Sequence, residues 1–246
     1  MSKANSDSRR IRALKNFSRI LPDWILTTKA RGVLQLGNAL LLQYGWLRSR
    51  REGKPIDAQG NPLPWITYPC IDFLRQLDFT DRAVFEWGAG YSTLFWSEKA
   101  KRIVSVEADP SWYEIVKRTA PSNCEVRLTP RELQSYVGVI EESKDEFDVV
   151  SIDGPGDFRP ACAHAAIKHL KHGGIIILDN SDQSLITAQI LRNADLIQVD
   201  FTGFVPGVGY PHTTSIFFHR AYSFQPLDGV QPHPSVAQPN PPWPDA

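Results

Sequence analysis

At 246 residues, 42% of them hydrophobic and 22% charged, the chain is long enough to bury one α/β core plus an extension, and it has an ordinary globular composition. Lysine plus arginine equals aspartate plus glutamate, 27 of each, so no net charge draws it towards nucleic acid or an anionic membrane, and neither is expected as a partner. Cys70, Cys124 and Cys162 form no CxxC pair and share no zinc-site spacing with histidine. They read as reduced structural thiols, which favours the cytoplasm.

The basic residues Lys3, Arg9, Arg10 and Arg12 are followed by no unbroken apolar stretch, so no signal peptide is expected. The apolar run 33–47 is interrupted by Gln35, Gly37, Asn38, Gln43 and Gly45, which makes it too short and too polar to span a bilayer. Leu34, Leu36, Leu40, Leu41, Tyr44 and Leu47 instead fit a helix with one apolar face. A turn-rich stretch, 52–65, follows, with Trp65 as a candidate anchor, and then a short helix over 68–77. Residues 1–78 therefore read as an N-terminal helical extension. It either completes the core or covers a ligand site.

From 79 to 220 apolar strand runs alternate with helical stretches. The first strand is 83–87, followed by Gly88-Ala89-Gly90 and a helix opening at Tyr91. A second strand covers 102–107, and Asp109-Pro110 then starts a helix, with Asp as N-cap and Pro in the first turn. Strands follow at 124–128, 147–153 and 175–179. Between the last two of these, a helix over 161–170 is expected to close on Lys171-His172-Gly173-Gly174. Two further strands, 196–202 and 214–219, are joined by a glycine-rich loop instead of a helix. Residues 221–246 are proline-rich, which suits neither helix nor ladder. The alternation predicts a doubly wound, mostly parallel sheet with helices on both faces. Ligands of such sheets bind beyond the carboxyl ends of the strands.

Glu86 stands two residues before Gly88, and Glu107 ends the next strand. Glycines let the backbone turn tightly, and a carboxylate at the second strand end can accept both ribose hydroxyls of an adenosine. A dinucleotide fingerprint expects a third small residue where this chain has Thr93, which argues against nicotinamide or flavin.

The ordered series Glu86-x-Gly88-x-Gly90-x-Ser92-Thr93, Val104-Ser105-Val106-Glu107, Phe147-Asp148…Asp153-Gly154 and Gly173-Gly174…Asp179-Asn180 resembles a Rossmann-like, class I S-adenosylmethionine (SAM)-dependent methyltransferase over about residues 82–220. The resemblance implies a seven-stranded sheet and SAM as cofactor. Glu86 would lie near the methionine amino group, with Gly88, Gly90 and Ser92 under the cofactor. Glu107 would lie on the ribose and Asp153 at the methionine end, beside the acceptor. The third strand ends in Leu128-Thr129-Pro130, where many members have an acid, so the adenine contacts stay open.

Asp153, Asp179 and Asn180 are also similar to the Asp and Asp-Asn ligands of metal-dependent catechol-type O-methyltransferases, which implies Mg²⁺. The lysine base of those enzymes is replaced here by Gly156. Asp179-Asn180 could equally shape a turn. His212, in the loop before the last strand, is a candidate general base alongside Asp153, with Tyr210 as a second possible contact and an ordinary surface histidine as the plain reading. The expected activity is O-methylation of a small-molecule or sugar acceptor. The alternatives are a non-catalytic SAM- or nucleoside-binding protein of the same fold and a nicotinamide-dependent oxidoreductase.

Overall fold

The structure is a computed structural model that describes residues 27–143 and 146–238. The N-terminal basic residues and the last eight residues of the tail, 239–246, lie outside the described residues. In chain order the elements are α1 (Thr28–Gly37), a π-helical turn (Asn38–Gln43), α2 (Trp46–Glu52), α3 (Tyr68–Leu74), β1 (Ala83–Trp87), α4 (Tyr91–Ser97), β2 (Arg102–Glu107) and α5 (Pro110–Thr119). Then come β3 (Cys124–Leu128), α6 (Leu133–Glu142), β4 (Phe147–Ile152), α7 (Arg159–His169), β5 (Leu170–Leu178), α8 (Leu185–Asn193), β6 (Ile197–Gly203) and β7 (His212–Phe218). No helix among the described residues is long and apolar enough to cross a membrane.

The seven strands form one sheet in the order β3-β2-β1-β4-β5-β7-β6. The first five are parallel, and β7 runs antiparallel to both β5 and β6. β1 lies between β2 and β4, so strand order reverses there, and crossovers on either side leave a crevice at its carboxyl end. The expected doubly wound, mostly parallel sheet is the observed one.

Successive strand residues face opposite layers. Phe85 and Trp87 of β1 join a core with Tyr136, Val139 and Ile140 of α6, Cys162 and Ala166 of α7 and Leu191 of α8. Val84 joins the other core, with Phe95 and Trp96 of α4, Ile177 of β5 and Ile216 of β7. Leu63, Ile66, Cys70, Ile71, Leu74 and Phe79 belong to this second core, as does Phe224 after the last strand. The segment before β1 thus completes one face of the sheet. All three cysteines are free.

Three expectations need correction. The run 33–47 is not one helix. Gly45 takes a positive φ of 81°, and a Cβ there would stand 2.4 Å from the Ala58 nitrogen, so the chain turns sharply at this point. Leu34, Leu36 and Leu47 are exposed, and only Leu40 and Tyr44 of the predicted stripe pack on the core. Lys171-His172-Gly173-Gly174 does not close a helix either. α7 ends at His169 and β5 begins at once, with the glycines inside a register shift opposite β4. They are needed for close approach: a Cβ on Gly174 would meet the Asp148 carbonyl at 2.7 Å, and one on Gly173 the Ser223 hydroxyl at 2.6 Å. The start of the proline-rich tail is also fixed, since Leu77 and Pro226 form an antiparallel bridge.

The edge opposite the crevice is held by Asp148, whose side chain is 3% exposed. It accepts from Arg82 Nη1 at 2.9 Å, from the Ala83 amide at 2.9 Å and from Lys171 Nζ at 3.3 Å. Removing this carboxylate leaves the Ala83 amide unpaired and releases two cations that solvent partly reaches, at a cost of about 1–3 kcal/mol. Asp148→Ala should lower stability in urea by about that amount while leaving ligand binding at the far edge of the folded protein intact. An unchanged urea midpoint would show that these bonds add nothing.

Candidate active site at the strand ends

The loop after β1 is fixed from several sides. The amides of Gly88 and Ala89 both donate to the Val106 carbonyl, at 2.9 and 3.2 Å. The Trp112 indole donates to the Ala89 carbonyl at 2.6 Å, and the Gly90 amide donates to Thr93 Oγ1 at 3.0 Å. Gly88 has a φ of 98°, and a Cβ there would come within 2.8 Å of the Asp153 carbonyl, so only glycine lets β1 and β4 close up at this point. Thr93, the residue that weakened a dinucleotide reading, is fully buried and forms the hinge of this network.

Glu86 lies beneath the loop and is 1% exposed. Its Oε1 accepts from Thr93 Oγ1 and from Ser105 Oγ, the latter at 2.6 Å, so it ties β1 to β2 and to α4. Burial pushes its carboxyl above the usual glutamate range against the pull of the Ser105, Thr93 and Ser92 hydroxyls. Its Oε2 is buried with no partner. Ser92 sits in the first turn of α4, half-buried.

Glu107 ends β2 on the other side of the loop. Its Oε1 accepts from the amides of Ala108 and Asp109 at 2.7 and 2.8 Å. Burial raises its carboxyl above the ordinary range, while the Asp109 and Ala108 amides oppose that rise. At the end of β3, Thr129 Oγ1 is buried without a partner, although its amide donates to the Glu107 carbonyl at 2.9 Å. A half-buried, backbone-oriented carboxylate, a glycine turn and two orphaned oxygens suit a nucleoside with ribose hydroxyls and an amino group, as SAM has. The residues present therefore fit that cofactor.

Asp153, Asp179, Asn180 and His212 lie along the same edge beyond β4, β5 and the start of β7. They do not form the expected metal centre. Asp153 Oδ1 pairs with Arg159 Nη2 at 3.1 Å. Asp179 Oδ1 accepts from Thr214 Oγ1 at 2.7 Å, and the backbone carbonyl of Asp179 accepts from Arg159 Nη1. Asn180 Nδ2 lies 3.0 Å from His212 Nδ1. One oxygen of each carboxylate is engaged, and a guanidinium sits among them. No group of three or more His, Cys, Asp or Glu among the described residues could hold a metal ion. Mg²⁺ is thus unsupported, and the physical reason is Arg159.

Desolvation and then Asp179 raise the Asp153 carboxyl above its ordinary range against the pull of Arg159, although 37% of that side chain stays exposed. Burial likewise raises Asp179, which the Thr214 hydroxyl and Arg159 pull down. His212 Nε2 is buried with no partner, and Tyr210 packs against the ring at 4.8 Å between centroids. Of four buried side-chain atoms without partners among the described residues, those of Glu86, Thr129 and His212 belong to this edge.

A cleft of about 510 Å³ opens beside Arg159, lined also by Gly156, Pro160, Asn180, Gln183 and Leu185. It lies towards α7 and α8. The loop between β6 and β7 is held by the lead-in. The indoles of Trp46 and Trp65 donate to the carbonyls of Val208 and Pro206 at 2.7 and 3.0 Å, and the Tyr68 amide donates to the Phe204 carbonyl at 2.9 Å. Arg159 was not among the sequence candidates, being no equivalent of the missing lysine base. The helix expected over 161–170 in fact opens at Arg159, where the dipole disfavours a cation, and only the structure shows this.

No family model matches this chain, and no curated protein does. Among solved structures it is similar to precorrin-6y C5,15-methyltransferase from Geobacter metallireducens GS-15, at 15% identity and a TM-score of 0.50, over 61% of this chain and 87% of that one. It is similar to a provisionally named O-methyltransferase from Klebsiella pneumoniae at 16% identity and a TM-score of 0.51, over 75% and 94%. A third similar structure is the cofactor-bound Rv0187 from MTB, at 17% identity and a TM-score of 0.51, over 76% and 89%. Strand order, the glycine turn and these likenesses agree: the chain has the Rossmann-like fold of the class I SAM-dependent methyltransferases.

Proposed function

We propose that this chain is a SAM-dependent methyltransferase that places a methyl group on an oxygen of a small-molecule or sugar acceptor. The observation that carries the reading is Glu107, oriented by two amides through one oxygen, half-buried beside a rigid glycine turn. Bound SAM supplies an electrophilic methyl group on a sulfonium. The protein's own part is positioning and proton removal. Glu107 holds the ribose, Gly88 and Gly90 let the backbone pass close beneath, and Glu86 and Ser92 face the methionine end.

The acceptor side rests on Asp153, Asn180 and His212. A cleft of about 510 Å³ suits a small molecule. Leu185 offers an apolar wall, and Asn180 and Gln183 offer polar contacts. The amide oxygen and nitrogen of Asn180 exchange places on a half-turn of its side chain. With the oxygen accepting from His212 Nδ1–H, Nε2 keeps a lone pair and can take the acceptor's proton. The neighbour from Klebsiella pneumoniae, which carries an O-methyltransferase name, supports oxygen as the target.

Calorimetric titration with SAM tests the cofactor site. Micromolar binding is expected, weakened about 10- to 100-fold in Glu107→Ala, because hydrogen bonds to a charged group contribute about 1.5–3 kcal/mol. A folded protein that takes up no SAM would remove the reading. Binding should also weaken on acidification. The burial-raised Glu107 carboxyl gains its proton above the ordinary glutamate range of about 4.3, and a protonated acid cannot accept from both ribose hydroxyls. SAM affinity that is flat down to that range would argue against Glu107 as the ribose ligand. Once labelled SAM and a panel of hydroxylated compounds yield a product, His212→Ala should cut turnover about 10²- to 10⁴-fold with SAM affinity unchanged. Full turnover in that variant would exclude His212 as the base.

A further inference from the structure

We propose that Arg159 is a built-in cation at the acceptor end of this site, standing where a divalent ion would sit and closing Asp153 and Asp179 to metal. The inference concerns the site just described, but its test does not depend on SAM binding.

Arg159 is the first residue of α7, where the helix dipole disfavours a positive charge. Its side chain is nevertheless 9% exposed. Burial of a cation at that position requires compensation, and the structure supplies it from three elements. Nε donates to the Gly154 carbonyl at 3.0 Å, Nη1 to the Asp179 carbonyl and to Ser184 Oγ, the latter at 3.3 Å, and Nη2 to Asp153 Oδ1 at 3.1 Å. The guanidinium therefore bridges the ends of β4 and β5 and the start of α8. These are the same strand ends that the Asp153 and Asp179-Asn180 pattern offers to an ion.

A guanidinium has five N–H donors in a fixed plane, and four are used in these bonds. One Nη2 donor remains, on a residue that lines the 510 Å³ cleft. A metal there would have to displace a charge-assisted bond to Asp153 and leave a buried cation unpaired. With Arg159 in place, the repulsion between Asp153 and Asp179 is offset by the protein itself, and the acceptor is met by Asp153, Asn180 and His212 without a metal. Arg159 is a positioning residue for Asp153 in this arrangement.

Titration with Mn²⁺, followed by the electron paramagnetic resonance of the free ion, tests this directly. Wild-type protein should show no binding that depends on Asp153. Arg159→Met keeps an apolar stem of similar length and removes the cation. It should gain at least tenfold tighter Mn²⁺ binding, and adding Asp153→Asn should abolish that gain. Arg159→Lys retains a positive charge and should stay as metal-free as wild type. Far-UV circular dichroism establishes that each variant is folded, and Arg159→Gln replaces any variant that is not. Wild-type binding of Mn²⁺ that Asp153→Asn removes would overturn the proposal, and so would a folded Arg159→Met that binds no better than wild type. SAM titration of the same samples reads the cofactor site separately, so a failure of SAM binding would leave the metal result standing.

Discussion

The geometry of the strand-end edge depends on one buried carboxylate. Glu86 sits in the strand where sheet order reverses, and its Oε1 accepts hydroxyl hydrogens from both β2 and α4. A carboxylate this deep is costly unless it is well hydrogen-bonded. Thr93 and Ser105 meet that need, and Thr93 passes the constraint on by accepting from the Gly90 amide. The glycine turn is thereby held in a single shape between the strands on either side of it. Rigid placement of this kind suits a reaction in which the protein mainly orients two reactants. The unpartnered Oε2 is the cost of that arrangement.

The edge beyond β4 and β5 is built on a different principle, charge placed against local preference. A cation at a helix N-terminus and two carboxylates at neighbouring strand ends are each unfavourable alone. Brought together, Arg159, Asp153 and Asp179 compensate one another, while the carbonyls of Gly154 and Asp179 fix the plane of the guanidinium. The lead-in contributes indirectly. Trp46, Trp65 and Tyr68 pin the loop before β7 and so set where His212 enters that strand. The extension is thus part of the scaffold of the site, although its own outer face keeps Val33 and Leu36 exposed.

Much of the fold was legible because local physics and global architecture agree. Val, Ile and Phe runs bounded by glycine or Asp-Pro gave the strands of the parallel sheet. Asp109 caps α5 through the amides of Ser111 and Trp112, as its position before Pro110 predicts. The misreadings fell where a contact distant in sequence outweighed local preference. Gly173-Gly174 looks like a helix terminator, but those glycines allow β4 and the chain after β7 to approach β5. The stripe at 33–47 looks like one amphipathic helix, but Gly45 turns against the backbone at Asp57 and Ala58.

The sequence by itself determined the parallel sheet and the grouping of Glu86, the glycine turn and Glu107, since a strand, its glycine turn and the acid ending the next strand lie within 25 residues of one another. Tertiary structure alone decided the charge cluster beyond β4 and β5. Asp153, Arg159, Asp179 and His212 belong to separate elements, and the spacing of Asp153 and Asp179-Asn180 suits a metal as well as it suits an ion pair. Which of the two forms depends on where a long, flexible arginine finds its counter-charges once the strands are side by side, and electrostatic balance in a buried cluster is a property of the assembled fold.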